Sequence, residues 1–124
     1  MLGSAKLVAF VSTTDAARSR AFYEGTLGLR FVSDEPYALV FDANGTMLRV
    51  QKVERVTVAS GTTLGWHVTD IASEVRALSG RGVTFERYEG MQQDELGIWA
   101  QGGGKVAWFK DPDGHVLSLT EFPA

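Results

Sequence analysis

The sequence of 124 residues contains no cysteine and only two histidines. The lack of cysteine excludes disulfides, thiolate catalysis, iron–sulfur clusters and cysteine-based zinc sites, and it agrees with an expected cytoplasmic location. No apolar run approaches the roughly 20 residues that span a bilayer, and the first residues lack the long apolar region and cleavage site of a signal peptide. We therefore expect no membrane partner.

The sequence also lacks a basic cluster. It has 12 Lys and Arg against 15 Asp and Glu, a net charge of -3, and its cationic residues are scattered along the chain. This charge distribution excludes nucleic acid as an expected partner. With 44% hydrophobic and 22% charged residues, the composition is typical of one folded domain, which we expect to span residues 1–124.

The first half of the chain predicts the element order βαβββ. "KLVAFVST" (6–13) is rich in β-branched and aromatic residues and predicts a buried strand. Asp15 follows as a helix N-cap, and the helix is expected to end at Gly25 or Gly28. Three further strand-like runs come next, over 29–33, 37–42 and 46–53.

This order then recurs in the second half. Residues 11–25 align with 66–80 at an offset of 55, whereas 42–51 align with 111–120 at an offset of 69. Two modules are therefore predicted, at about 5–55 and 61–122, and the growing offset indicates an inserted, glycine-rich loop at about 88–105. A loop of this length is typical of a functional lid or of disorder.

Alternation along the last strand of each module predicts which face is covered. Leu48, Val50, Leu117 and Leu119 are apolar, and the residues that alternate with them are polar: Arg49, Gln51, Ser118 and Thr120. The apolar face is expected to carry the helices. The polar face would then be the concave side of a curved sheet, where small-molecule sites are commonly built.

Three motifs occur in a characteristic order: "FYEGTLGLRF" after the first strand, "HVTDI" at the second helix and "WFKDPDGHVLSL" near the end. Together with the repeat they closely resemble the glyoxalase/bleomycin-resistance/dioxygenase family, the vicinal-oxygen-chelate superfamily, over nearly the whole chain. The resemblance implies an α+β fold of two βαβββ modules that form a curved, incomplete mixed-sheet barrel, and it implies homodimers. Whether the modules pair within one chain or between two chains stays open.

In enzymes of this family, His, Glu or Gln at four strand positions hold one divalent metal. The resemblance places those positions at Val8, Thr63, Arg49 and Ser118. None is a usual ligand, and Arg49 would add a permanent positive charge to a shell that needs three or four donors at roughly 2.0 to 2.6 Å. We therefore expect no metal and no other cofactor, as in a branch of the family that lacks the metal ligands.

The same positions supply the candidate binding residues. Arg49 would replace the metal with a fixed cation that pairs with an anionic oxygen of a ligand. The remaining candidates are a polar lining and two aromatic rings, with Trp99 in the inserted loop closing over a flat ligand: Ser118, Gln51, Thr63, Phe10 and Trp99. Each also fits an ordinary strand or loop residue.

The two histidines have different expected roles. His67 shares strand parity with Thr63, so it should point to the concave side, where a general base is one interpretation and a simple polar strand residue the other. His115 directly follows the turn "DPDG" and shares parity with Leu117, which predicts a structural role on the helix side.

Two functions follow from these residues. The first is binding of a small organic ligand without a metal, as in proteins of the bleomycin-resistance type. The alternative is a glyoxalase-like lyase or isomerase, or a dioxygenase-related enzyme, either metal-free with His67 as the base or with a metal site at positions other than these four. Neither hypothesis identifies the ligand.

Overall fold

The computed structural model describes all 124 residues, Met1 to Ala124. The chain forms two compact units, Met1–Thr57 and Val58–Ala124. Each unit contains one four-stranded mixed sheet with a helical segment packed on one face.

Unit 1 follows the predicted order βαβββ. After a short 3₁₀ turn at Leu2–Ser4, its elements are β1 (Val8–Thr13), α1 (Ala16–Arg20) with a π-helical continuation (Ala21–Thr26), β2 (Arg30–Asp34), β3 (Ala38–Ala43) and β4 (Thr46–Lys52). The strand order in the sheet is β1-β4-β3-β2. β1 runs parallel to β4, and the other neighbours are antiparallel.

Local sequence explains where these elements begin and end. The Asp15 carboxylate accepts the Arg18 N–H at 3.1 Å, which caps α1 as predicted. The β3–β4 hairpin turns through Asn44 (φ 51) and Gly45 (φ 95), the two positive φ angles that a two-residue hairpin turn requires.

Unit 2 repeats the pattern. Its elements are β5 (Leu64–His67), α2 (Ile71–Ser79), β6 (Trp99–Gln101), β7 (Gly104–Lys110) and β8 (Val116–Glu121). The strand order is β5-β8-β7-β6, with β5 parallel to β8 and the rest antiparallel. The Asp70 carboxylate accepts the Ser73 N–H at 3.2 Å and so caps α2, as Asp15 caps α1.

The predicted alternation of faces is confirmed in both units. Leu48 and Val50 are buried in unit 1, where α1 packs against β4. Leu117 and Leu119 are buried in unit 2, where α2 packs against β7 and β8. Burial of one such side chain contributes about 1.5 to 3 kcal/mol to the free energy of unfolding. These four residues therefore determine which face of each sheet is covered.

His115 lies in the turn that precedes β8. It is buried, its N–H donates to the Asp111 carboxylate at 2.9 Å, and its carbonyl accepts the Asp111 N–H at 3.0 Å. These bonds close the turn that leads into β8.

The stretch between α2 and β7 differs from the order of unit 1. Residues 82–85 do not form a strand, and only Phe85 pairs with β7, through an isolated bridge to Phe109. The open edge of β7 is paired by β6, which comes from the insertion. The loop expected over 88–105 therefore ends in a β6–β7 hairpin, with Gly102 and Gly103 at positive φ in its turn.

The α+β class with two mixed sheets is confirmed. Each sheet is open, with β1 and β2 at the edges of the first and β5 and β6 at the edges of the second, and the sheets are not closed into a barrel. None of the helices is long and apolar enough to cross a membrane.

Candidate functional site

The open face of unit 1 is the sheet face that α1 does not cover. Cross-strand pairing of β1 with β4 places three residue pairs on it: Val8 with Met47, Phe10 with Arg49, and Ser12 with Gln51. Val8, Phe10 and Met47 are exposed although they are apolar. The face therefore combines apolar surface with Arg49 and Gln51, and it brings three of the predicted site residues, Phe10, Arg49 and Gln51, onto one surface.

Arg49 has a partner that the sequence did not indicate. Its Nη2 donates to Glu35 Oε1 at 3.1 Å, and the two side chains are 28% and 45% exposed. The other oxygen of Glu35 accepts the Ser33 hydroxyl at 3.1 Å. The cation is thus compensated within the chain, whereas the sequence-based hypothesis left it free for an anionic ligand.

The open face of unit 2 is the face that α2 does not cover. Strand pairing sets two rows across it: Gly65, Ser118 and Trp108 in one, and His67, Thr120, Val106 and Trp99 in the next. Three of the predicted residues, Ser118, His67 and Trp99, therefore share this surface. Thr63 precedes β5, and its N–H donates to the Val116 carbonyl at 2.8 Å.

Ser118 lies at the centre of this face and is 7% exposed. Its neighbour in β5 is Gly65, and a Cβ at residue 65 would lie 2.8 Å from the Ser118 hydroxyl oxygen. Because glycine has no side chain, the space next to the Gly65 Cα is available to the Ser118 hydroxyl. Its other neighbour is Trp108 in β7.

Two aromatic rings contact that of Trp108, the residue paired with Ser118. The Trp108 ring centroid is 5.5 Å from that of Tyr88, in an edge-to-face arrangement, and 6.2 Å from that of Trp99. Trp99 was expected in a lid loop, but it stands in β6 as part of the sheet. Trp108 and Tyr88 were not among the sequence-based candidates, although the alternation of Trp108 with Ala107 and Phe109 in β7 predicts that it shares a face with Ser118.

His67 is exposed at the end of β5. Its ring contacts that of Phe122 edge to face, with centroids 5.0 Å apart. Across the sheet it is paired with Thr120. The exposed imidazole is accessible from solvent, but no acidic side chain is seen to orient it.

A cavity of about 470 Å³ lies in unit 2, by the start of α2 and the insertion. Its lining is Ile71, Ala72, Gly90, Gln92, Asp94, Ile98, Trp99, Ala100, Gln101 and Lys105. Its charged groups already have partners in the chain, since Asp94 accepts the N–H groups of Leu96 and Ile98 and Lys105 pairs with Glu121 at 3.8 Å. Of the predicted site residues it includes Trp99 alone.

The donor set does not fit a divalent metal. Nowhere in the chain do three or more His, Asp or Glu side chains come together as a metal site. Among the four positions implied by the resemblance, Val8 has no donor atom, Arg49 is paired with Glu35, and Ser118 offers a single neutral hydroxyl.

Two βαβββ repeats, each with a mixed sheet covered on one face, define the class of fold to which this chain belongs. Residues 6–119 match the family model of the Glyoxalase/Bleomycin resistance protein/Dioxygenase superfamily, and the chain is a member of that superfamily. No curated protein matches the chain in sequence.

Solved structures agree with this fold. The glyoxalase family protein from Enterococcus faecalis superposes with a TM-score of 0.75 at 19% identity, covering 98% of this chain and 100% of that chain. Lactoylglutathione lyase from Agrobacterium tumefaciens gives 0.71 at 19% identity, covering 95% and 93%. TnmS3, an antibiotic binding protein from Streptomyces sp. CB03234, gives 0.72 at 23% identity, covering 98% of both chains. At these identities the likeness shows the fold.

Proposed function

We propose that this protein binds a small organic ligand with a planar aromatic group, and that it does so without a metal. The observation that carries the proposal is the cluster of Tyr88, Trp99 and Trp108 on the open face of unit 2, in which Trp108 is paired with Ser118 across β7 and β8. Indole rings offer large, rigid stacking surfaces, and the hydroxyl of the paired Ser118 can donate or accept a directional hydrogen bond. This is the composition of a small-molecule site: mostly apolar walls and a few polar groups.

The open face of unit 1 is the second binding surface in this proposal. Phe10 offers an exposed ring beside Arg49, and Gln51 follows on the same strand. On this face Arg49 and Gln51 can contact polar groups of a ligand while Phe10 contacts its apolar part. On unit 2, Thr63 is retained as a further polar contact.

The lack of a metal is part of the proposal and is supported by the donor set at Val8, Arg49, Thr63 and Ser118. Elemental analysis of the purified protein tests it directly. Stoichiometric nickel, zinc, manganese or iron would contradict it.

Ligand binding is tested by titrating the protein with planar aromatic compounds and following tryptophan fluorescence and heat. The panel should include planar antibiotics, because one structural neighbour is described as an antibiotic binding protein. Saturable binding in the presence of a chelator is the expected result. Binding that requires an added divalent metal would contradict the proposal.

One observation favours an enzymatic alternative. His67 is exposed on the open face of unit 2, opposite Thr120, where an imidazole could act as a general base in a glyoxalase-like lyase or isomerase. An assay for lactoylglutathione lyase activity separates the two functions. Turnover by the wild type that His67→Ala abolishes, with the fold intact, would replace the binding hypothesis.

We also propose that the protein is a homodimer located in the cytoplasm. The homodimer is what the resemblance to this superfamily implies. Sedimentation equilibrium checks the dimer, with a mass of one chain as the contradicting result. The cytoplasmic location rests on the absence of cysteine.

A further inference from the structure

We infer that Glu35 determines which polar group a ligand can place at Arg49, and that it selects a neutral carboxamide-type group over a carboxylate. This inference rests on the proposed binding function and concerns the open face of unit 1. It depends on the way Glu35 is held, on the charge balance of the Arg49–Glu35 pair and on the apolar surface beside that pair.

Glu35 is held in place by several contacts. Its N–H donates to the Ala38 carbonyl at 2.9 Å, and its own carbonyl accepts Lys52 Nζ at 2.8 Å. In its side chain, Oε2 accepts the Ser33 hydroxyl and Oε1 accepts Arg49 Nη2, each at 3.1 Å. The carboxylate is therefore oriented toward Arg49 by the turn between β2 and β3.

The pair presents both kinds of hydrogen-bonding group. A guanidinium is always charged and carries five N–H donors, and the bond to Glu35 leaves others available. The Glu35 oxygens can accept further bonds, since a carboxylate has about four acceptor sites. With Arg49 28% and Glu35 45% exposed, a ligand can reach both.

Charge decides between ligand groups. A ligand carboxylate at Arg49 would meet the negative charge of Glu35 at close range and could not donate to it. A carboxamide accepts from Arg49 through its carbonyl and donates to Glu35 through its NH₂ group. The pair therefore complements a group that has an acceptor and a donor side by side.

The surface beside the pair is apolar. Phe10 lies opposite Arg49 across β1 and β4 and is 49% exposed, and Val8 and Met47 continue the same face. A flat hydrocarbon body can cover these side chains while its polar group meets Arg49 and Glu35. The ligand class that fits is an aromatic carboxamide.

The test uses two probes that share a ring, 1-naphthylacetamide and 1-naphthylacetate. Affinities are measured by calorimetry, and binding is located from the NMR signals of the Arg49 side chain and the Phe10 backbone. The wild type is expected to bind the amide roughly tenfold more tightly, and Glu35→Gln to gain roughly tenfold for the acetate. Ser33→Ala, which frees one carboxylate oxygen, is expected to reduce the discrimination partly.

Glu24→Gln is the matched control. Glu24 pairs with Arg20 at 3.0 Å on the helix, and its side chain is 45% exposed, like that of Glu35. The substitution makes the same change in net charge away from the open face, so it should leave both affinities unchanged. Equal gains in Glu24→Gln and Glu35→Gln would overturn the inference.

The outcomes also separate this inference from the proposed function. Equal binding of both probes by wild type and Glu35→Gln, or signals that move only in unit 2, overturns the inference and leaves the binding function standing. No saturable binding of either probe to any variant contradicts both.

Discussion

The Ser118 hydroxyl occupies the space that Gly65 leaves empty: a Cβ at residue 65 would lie 2.8 Å from Ser118 Oγ. The two residues face each other across β5 and β8, where the parallel pairing puts their side chains on the same face. A glycine inside a strand usually weakens it, so its presence here points to a close approach.

Gly65→Ala is expected to destabilise the protein by about 1 to 2 kcal/mol, because the new methyl group forces the Ser118 hydroxyl out of its position. In a Ser118→Ala background the same change should be neutral or stabilising, since alanine restricts the unfolded chain more than glycine does. Denaturant unfolding of the four proteins measures the coupling. Equal effects of Gly65→Ala in both backgrounds would show that the hydroxyl is not the obstacle.

Thr13→Val is expected to lower stability by about 1 to 3 kcal/mol. The buried Thr13 hydroxyl accepts the Ser19 hydroxyl at 2.6 Å and the Asp15 N–H at 3.1 Å, and it donates to the Asp15 carbonyl at 3.1 Å. Valine keeps the shape and removes these bonds at the start of α1. Calorimetric melting measures the effect.

Thr57→Val is the control for that change, because Thr57 is exposed and the same substitution there should have little effect. The repeat adds a second comparison: the residue aligned with Thr13 at the offset of 55 is Val68, so unit 2 already has valine at this point of its fold. An unchanged melting temperature in Thr13→Val would mean that the hydroxyl bonds contribute nothing net.

Much of the fold could be predicted because it depends on local pattern. Leu48 and Leu117 alternate with polar residues at period two, and Asp15 and Asp70 have the chemistry of helix caps, so the repeat and the covered faces are visible in the sequence. The position of β6 could not be predicted from local sequence pattern. The edge of β7 can pair with any segment that reaches it. The insertion supplies Trp99–Gln101, whereas residues 82–85 supply only Phe85.

The site was less predictable for a similar reason. Glu35 lies 14 residues from Arg49 in sequence, in a turn whose side-chain direction depends on how β2 and β3 end, so the pair could not be anticipated. Trp108 is different, because the alternation of β7 places it on the same face as Ser118 once the two strands are aligned.

Divalent metals are expected to leave stability unchanged. A site with micromolar affinity would add about 4 kcal/mol at millimolar metal, a shift of many degrees in a chain of this size. Without a fitting donor set, nickel, zinc or manganese at 1 mM should move the melting temperature by less than about 1 °C. A metal-dependent rise that Ser118→Ala removes would reveal a metal site there.

Trp108→Leu is expected to weaken binding of a planar aromatic ligand by about tenfold, since one aromatic contact contributes roughly 0.5 to 1.5 kcal/mol beyond its buried area. Trp66→Leu is the matched control, because Trp66 stacks on Phe109 on the covered face, with ring centroids 6.5 Å apart. It should lower stability more than it lowers affinity. The contradicting result is a Trp108→Leu variant that binds the aromatic panel as tightly as the wild type, together with a Trp66→Leu variant that loses affinity in proportion to its loss of stability. The aromatic cluster on the open face of unit 2 would then have no part in ligand binding.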